Sequence, residues 1–151
     1  MRHFALAAAL ALSACGKKEH KGPYDPSRDA GVDIQAAVAR AKAENKRVLV
    51  EAGGNWCPWC HTMHAFYDAN PKLAALRDEK FVTVLVAVEP GKPLPRAISS
   101  WPAPAGFPHL YVLDENGSLL QSQDTSALEK GQSYDLEKFE FFLKDFGTKR
   151  R

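Results

Sequence analysis

Apolar residues recur along the first half of the chain at helical and strand spacings, which predict the order of the elements. From Asp33, which can cap a helix, they fall on one helical face. A short apolar run at 48–50 then predicts a buried strand, broken at 53–55. A second helix follows Cys57, with Pro58 in the first turn, where proline is tolerated. The apolar face of the first helix is formed by Ile34, Ala37, Val38 and Ala41.

The second half continues this alternation and ends in a hairpin and a helix. Residues 70–71, Asn-Pro, predict a new helix with asparagine as its cap. The Val- and Leu-rich run at 81–88 favours a central strand covered on both faces. Six of the ten prolines lie within 89–108 and predict an irregular loop. Asn116-Gly117 between apolar runs is typical of a β-hairpin, and apolar positions at helical spacing over 135–147 predict a last helix.

The predicted order is helix, strand, helix, strand, loop, strand, strand, helix. It indicates an α/β fold in which helices flank one central mixed β-sheet. The 151 residues, 45% hydrophobic and 25% charged, fit one soluble globular domain. The net charge of +2, without a long run of either sign, gives no basis for a nucleic-acid partner.

The first residues have the pattern of an export signal. The apolar run at 4–12 follows Arg2 and is too short to span a bilayer, which takes about 20 residues. The four residues ending at Cys15 resemble the lipobox of bacterial lipoproteins, in which that cysteine is lipidated. An ordinary cleaved signal that leaves Cys15 as a stray thiol is the alternative. We therefore expect a signal peptide at 1–14, a lipidated N-terminus and flexible tether at 15–28, and a folded domain at 29–151.

The remaining cysteines, Cys57 and Cys60, are separated by two residues, a spacing used by redox dithiols, haem attachment sites and metal sites. At a strand-to-helix turn Cys57 would lie at the helix N-terminus, where the positive end of the dipole lowers a thiol pKa. We expect Cys57 to be exposed there, with Cys60 one turn further along.

The chain resembles the thioredoxin superfamily over residues 33–146. The resemblance rests on the order of elements, on Trp56 directly before Cys57, and on Pro108 directly before a strand. The run at 56–63, Trp-Cys-Pro-Trp-Cys-His-Thr-Met, is similar to thioredoxin-like domains of bacterial secreted proteins. The resemblance implies a thioredoxin-like domain in which the proline-rich segment 89–107 replaces a helix.

The resemblance also implies a role for each residue of the site. Cys57 would be the attacking thiol, Cys60 the resolving thiol, and Glu51 a buried acid that helps to move the proton of Cys60. Pro108 would be a cis-proline whose neighbouring backbone binds substrate, and Phe107 departs from the smaller residues usual at its position. The other residues expected to bind substrate are Trp56, Pro58 and Trp59. The alternatives are that Glu51 is an exposed carboxylate, Pro108 a trans loop proline, and the tryptophans packing residues.

Two rival chemistries remain for the same motif. Cys57, Cys60 and His61 match the attachment pattern of c-type haem, with His20 or His109 as the distal ligand. A copper or other metal site would use Cys57, Cys60, His61 and His64, although four ligands on one helix fit a tetrahedron poorly.

The sequence thus predicts a lipid-anchored extracytoplasmic thiol-disulfide oxidoreductase. It would need no bound cofactor or metal, would act on protein thiols and disulfides, and would be reset by a further redox protein. Gly16 after Cys15 favours the periplasmic side of the outer membrane, by analogy with lipoprotein sorting.

Overall fold

A computed structural model describes residues 22–147, which form a four-stranded mixed sheet with helices on both faces. The strands are β1 (Arg47–Gly53), β2 (Phe81–Ala87), β3 (His109–Leu113) and β4 (Leu119–Asp124). Their order across the sheet is β2, β1, β3, β4. β1 is parallel to β2, and the other two pairs are antiparallel, which confirms the predicted mixed sheet.

The two faces of the sheet are covered by different helices. The helices are α1 (Ala30–Ala43), α2 (Pro58–Ala69), α3 (Pro71–Lys80) and α4 (Leu136–Gly147). α1 packs on the face that carries Val48 and Val50 of β1, and α2, α3 and α4 pack on the face that carries Leu49. Because side chains alternate along a strand, Glu51 faces α2.

Two sequence predictions about these elements are wrong. α1 begins one turn earlier than predicted: Asp29 caps it by accepting from the backbone N–H groups of Gly31 and Val32, and Asp33 lies in its first turn. β2 is an edge strand and not a central one. β2 is rich in apolar side chains because helices cover both faces of the sheet. An edge strand is covered on its faces in the same way as a central strand, so apolar content does not distinguish the two positions.

The segment between β2 and β3 contains turns but no helix or strand, as its prolines predicted. It is nevertheless packed: Ile98 is fully buried, and the rings of Trp101 and Tyr111 lie 5.0 Å apart. β3 and β4 form the predicted hairpin, in which Gly117 adopts a positive φ of 84°.

The structure adds elements that the sequence patterns did not predict. A 3₁₀ turn (Thr125–Leu128) leads into a two-stranded ribbon of β5 (Glu129–Lys130) and β6 (Ser133–Tyr134) before α4. These pieces are two to four residues long, too short to show a spacing pattern.

The N-terminal boundary of the folded domain also differs from the prediction. Residues 22–28 were expected to belong to the flexible tether, but Tyr24 is 1% exposed and belongs to the packed domain. The predicted signal peptide, Cys15 and the rest of the tether up to residue 21 lie outside the described residues. Within 22–147 no helix is both long and apolar enough to cross a membrane.

Candidate active site

The two cysteines lie at the start of α2, directly after the loop that follows β1. Cys57 has extended backbone geometry at the N-cap, and Pro58 occupies the first turn of the helix. Cys57 and Cys60 form a disulfide, with their Cα atoms 5.3 Å apart. The backbone N–H of Cys60 donates to Sγ of Cys57 at 3.1 Å. A thiolate on Cys57 would therefore be stabilised by this N–H and by the positive end of the helix dipole.

The expectation that Cys57 is exposed is wrong for this disulfide form. Its exposed fraction is 2%, and Cys60 is completely buried. Trp59 and Phe107 pack around the pair, and the carbonyl oxygen of Phe107 lies 3.4 Å from Sγ of Cys57. The strand-to-helix turn places Sγ of Cys57 at the N-terminus of α2, as predicted. Side chains from distant segments determine the exposed fraction of the sulfur.

The residues predicted to bind substrate surround Cys57. The bond between Phe107 and Pro108 is cis, as the resemblance implied. Trp56 is 46% exposed, its ring lies edge-to-face on Phe107 at 5.8 Å, and its Nε1 donates to the carbonyl oxygen of Val88. Pro58 is exposed, whereas Trp59 is half-buried against Tyr134 and thus also serves packing. The rim around Cys57 is apolar and aromatic.

Glu51 is only 1% exposed, so the alternative of a surface carboxylate is wrong. The hydroxyl of Tyr24 donates a short hydrogen bond to Oε1 of Glu51. Nε2 of His64 lies 3.0 Å from the same oxygen, which is ion-pair distance without hydrogen-bond geometry. A buried carboxylate is therefore contacted by one hydroxyl donor and one ring that can carry positive charge.

The contacts shift the pKa of both neighbours of Glu51. The pKa of His64 is raised above the usual histidine value, mainly by its interaction with Glu51, which outweighs the opposing effect of burial. The pKa of Tyr24 is raised far above its ordinary range by burial first and by the Glu51 carboxylate second. Tyr24 therefore stays protonated and acts as a donor at any physiological pH.

Tyr24 was not among the predicted site residues, and His64 was named only as a candidate ligand of the alternative metal site. Tyr24 lies in a stretch without periodicity, and nothing in the sequence indicates that it folds back onto the dithiol. His64 did carry a signal, because it follows Cys60 by four residues and so lies on the same helical face.

The side chains needed for haem or metal point to different partners. His61 Nε2 lies 2.7 Å from the carbonyl oxygen of Asn55, whereas His64 contacts Glu51. His109, one candidate distal haem ligand, is buried with Nε2 at 2.8 Å from Oγ of Ser122, and His20 lies outside the described residues. In the described part of the chain no three His, Cys, Asp or Glu side chains are grouped to hold a metal ion.

One known protein family matches the part of the chain that contains the dithiol. A family described as thioredoxin-like matches residues 29–115, more than half of the chain. Spermatogenesis-associated protein 20 of rat is 38% identical over 52 residues, and the mouse protein is 36% identical over the same length. The matched part is 34% of this chain but only 7% of either relative.

Solved structures share the fold over a larger part of the chain. A disulphide isomerase from Xylella fastidiosa Temecula1 superposes with a TM-score of 0.68 at 22% identity, covering 82% of this chain and 95% of that one. The C-terminal domain of DsbD from Neisseria meningitidis, in its reduced form, gives a TM-score of 0.55 at 20% identity, covering 78% and 97%. At these identities the likeness establishes the fold.

Proposed function

Because the chain belongs to the thioredoxin-like family, we propose that it is a thiol-disulfide oxidoreductase that acts on proteins through Cys57 and Cys60. The observation that carries this proposal is the Cys57–Cys60 disulfide across the N-terminus of α2, with the Cys60 N–H donating to Sγ of Cys57. This arrangement favours a nucleophilic thiolate on the first cysteine and keeps the second within bonding distance.

In the reducing direction the reaction has two exchange steps. The Cys57 thiolate attacks a substrate disulfide, which forms a mixed disulfide and releases one substrate thiolate. Cys60 then loses its proton and attacks Sγ of Cys57, which forms the Cys57–Cys60 disulfide and releases the second substrate thiolate. Two electrons pass from the dithiol to the substrate, and the reverse sequence oxidises a substrate dithiol.

The surface around Cys57 supports a protein or peptide as the substrate. The Phe107 carbonyl oxygen lies 3.4 Å from Sγ of Cys57, so main-chain groups are close to the reacting sulfur. Trp56 and Pro58 add exposed apolar area at the rim. We therefore expect apolar side chains next to the cysteines of the substrate.

A Cys60→Ser variant tests this function directly. Without the resolving thiol, the mixed disulfide between Cys57 and its substrate cannot be released, and it should accumulate as a species of higher mass on a non-reducing gel. The measurement is made on the full chain expressed in a bacterial envelope, with the trapped proteins identified by mass spectrometry.

The matched control is Cys57→Ser, which retains Cys60 but lacks the attacking thiol. It should trap no adduct, because Cys60 lies one turn into α2 and not at the helix N-cap beside the exposed rim formed by Trp56 and Pro58. Equal trapping by both variants, or by neither, would contradict the assigned roles of the two cysteines.

We further propose that the protein is exported and lipid-anchored at Cys15 on the periplasmic side of the outer membrane. The apolar run at 4–12 and the lipobox-like residues before Cys15 support this. The wild-type protein should fractionate with membranes and carry a lipid mass on its mature N-terminus, and Cys15→Ala should move it to the soluble fraction. An unchanged membrane fraction in Cys15→Ala would show that Cys15 is not the anchor.

A further inference from the structure

Three ionisable side chains from separate segments meet beneath the disulfide. Tyr24 comes from the N-terminal segment, Glu51 from β1 and His64 from α2. Tyr24 and His64 both contact Oε1 of Glu51, and their rings lie edge-to-face with centroids 5.9 Å apart. A tyrosine and a histidine thus converge on one oxygen of a buried carboxylate.

Tyr24 also brings this cluster next to the resolving cysteine. Tyr24, Cys57 and Cys60 share one packed cluster. A Cβ built on Gly53 would lie 2.6 Å from Sγ of Cys60 and 2.7 Å from the Tyr24 hydroxyl, so both atoms occupy the space above this glycine. Cys60 is completely buried, and its thiol proton cannot pass directly to water.

His64 is the one member of this group with appreciable exposure. Its side chain is 28% exposed, whereas Glu51 and Tyr24 are each 1% exposed. The charged groups that act on it are Glu51 from β1, Asp68 from α2 and Arg77 from α3. A proton on Glu51 can therefore reach solvent through the His64 ring.

We propose that Tyr24 and His64 complete the proton path of Cys60: Tyr24 positions the Glu51 carboxylate, and His64 exchanges the proton between that carboxylate and solvent. This inference rests on the proposed function. Both residues act through Glu51.

The proton balance follows the resolving step. When Cys60 attacks Sγ of Cys57, the S–H proton of Cys60 passes to the Glu51 carboxylate and from there to neutral His64, which releases it to water. In the reverse direction protonated His64 supplies the proton that the Cys60 thiolate takes up. The resolving step should therefore accelerate as pH rises through the pKa of His64, which lies above the usual histidine value.

The two exchange steps can be timed separately with dithiobis(nitrobenzoate), an aromatic disulfide that releases one coloured thiolate at each step. Reduced full-length protein, with Cys15 replaced by alanine in the wild-type background and in all variants so that Cys57 and Cys60 are its only thiols, is mixed with one equivalent under single-turnover conditions. The first release reports attack by Cys57, and the second reports resolution by Cys60. His64→Gln should slow the second phase by about tenfold near neutral pH, remove its pH inflection and leave the first phase unaltered.

Two further variants distinguish a role in proton transfer from a purely structural role. His64→Ala should regain the second phase in proportion to added imidazole, which a purely structural role would not do. Tyr24→Phe keeps the buried ring but removes the hydroxyl, so it should slow the second phase and leave the first unaltered, although the loss of a donor to the buried Glu51 carboxylate lowers the melting temperature. His61→Gln is the matched control, because it removes a histidine of the same helix that contacts Asn55 and not Glu51.

The outcomes are distinct. Equal slowing of both phases in His64→Gln, an unchanged pH inflection, or failure of imidazole to restore the second phase would each overturn the role of His64. A Tyr24→Phe variant with a wild-type second phase would overturn the role of Tyr24. If the wild-type protein releases no coloured thiolate at all, the proposed function fails and the proton path with it.

Discussion

At the scale of single residues, the burial of Glu51 is the feature that needs most support from its neighbours. Moving an unpaired carboxylate out of water costs several kcal/mol, even after relaxation. Here the Tyr24 hydroxyl and the His64 ring offset part of that cost by contacting Oε1. The carboxylate can therefore remain beside the dithiol, where a proton acceptor is useful.

Gly53 is the residue that allows this close approach. A methyl group at this position would lie 2.6 Å from Sγ of Cys60 and 2.7 Å from the Tyr24 hydroxyl. We expect Gly53→Ala to lower the free energy of unfolding by about 1–3 kcal/mol through overpacking, measured by denaturant unfolding of the oxidised protein.

Gly106→Ala provides the comparison, because nothing lies within 4 Å of the position its Cβ would take. Its effect should remain within about 0.5 kcal/mol, as for other open surface sites. Equal stability of the two variants would show that the space above Gly53 can accommodate a methyl group.

At the scale of elements, the dithiol and Pro108 lie where a helix and a strand begin, whereas Glu51 lies within β1. α2 begins at the dithiol and directs the N–H of Cys60 towards Sγ of Cys57. β1 delivers Glu51 on the face covered by α2, and β3 begins directly after the cis bond to Pro108. The dithiol and Pro108 therefore depend on where α2 and β3 begin, and Glu51 depends on which face of β1 is covered by α2.

The pairing of β3 with β4 also buries His109, and this should make the stability of the protein depend on pH. Burial lowers the pKa of His109 below the usual histidine value, despite the opposing effect of Asp124. A lowered folded-state pKa gives stability that is present above the unfolded pKa and is lost as pH falls through the folded pKa. We expect the free energy of unfolding to decrease as pH falls below the ordinary histidine pKa of about 6.5.

Denaturant unfolding of the oxidised wild-type protein and of His109→Gln tests this, because the variant should lose the acid-side decrease. His64 does not confuse the comparison: its raised pKa gives stability that is fully present below the unfolded pKa and is lost as pH rises through the folded value. His61→Gln, an exposed histidine, should keep the wild-type dependence. An identical acid-side decrease in His109→Gln would show that another group causes it.

At the scale of the whole molecule, the sheet separates two hydrophobic clusters, and the dithiol lies in a smaller third cluster. This third cluster includes Tyr24, although the sequence predicts that residues 15–28 are a tether. The chain that leads away from a predicted membrane anchor thus inserts a side chain beside the redox pair. Its packing there links the N-terminal segment to the chemistry of the site.

The fold was largely predictable because its elements have strong local signals. The helical spacing of the last helix, the Val-rich run at 81–88, the prolines of the following loop and Asn116-Gly117 each report a local conformational preference. The position of β2 at the sheet edge was not predictable from that run. The order of strands depends on which segments pair with each other. The apolar content of a strand indicates only whether helices cover the two faces of the sheet at that strand.

The amino-acid sequence was sufficient to predict the α/β order of elements, the Cys57–Cys60 pair at a strand-to-helix turn and Pro108 before β3, because these depend on residue type and spacing along the chain, and its resemblance to the thioredoxin superfamily supplied the fold. The burial of Cys57, the shielding of Glu51 from solvent and the meeting of Tyr24 and His64 on its carboxylate became visible in the three-dimensional structure. These are contacts between segments far apart in sequence, and packing alone brings them together. The two cysteines thus identify the chemistry, and the residues packed around them determine where the thiol proton of Cys60 can go.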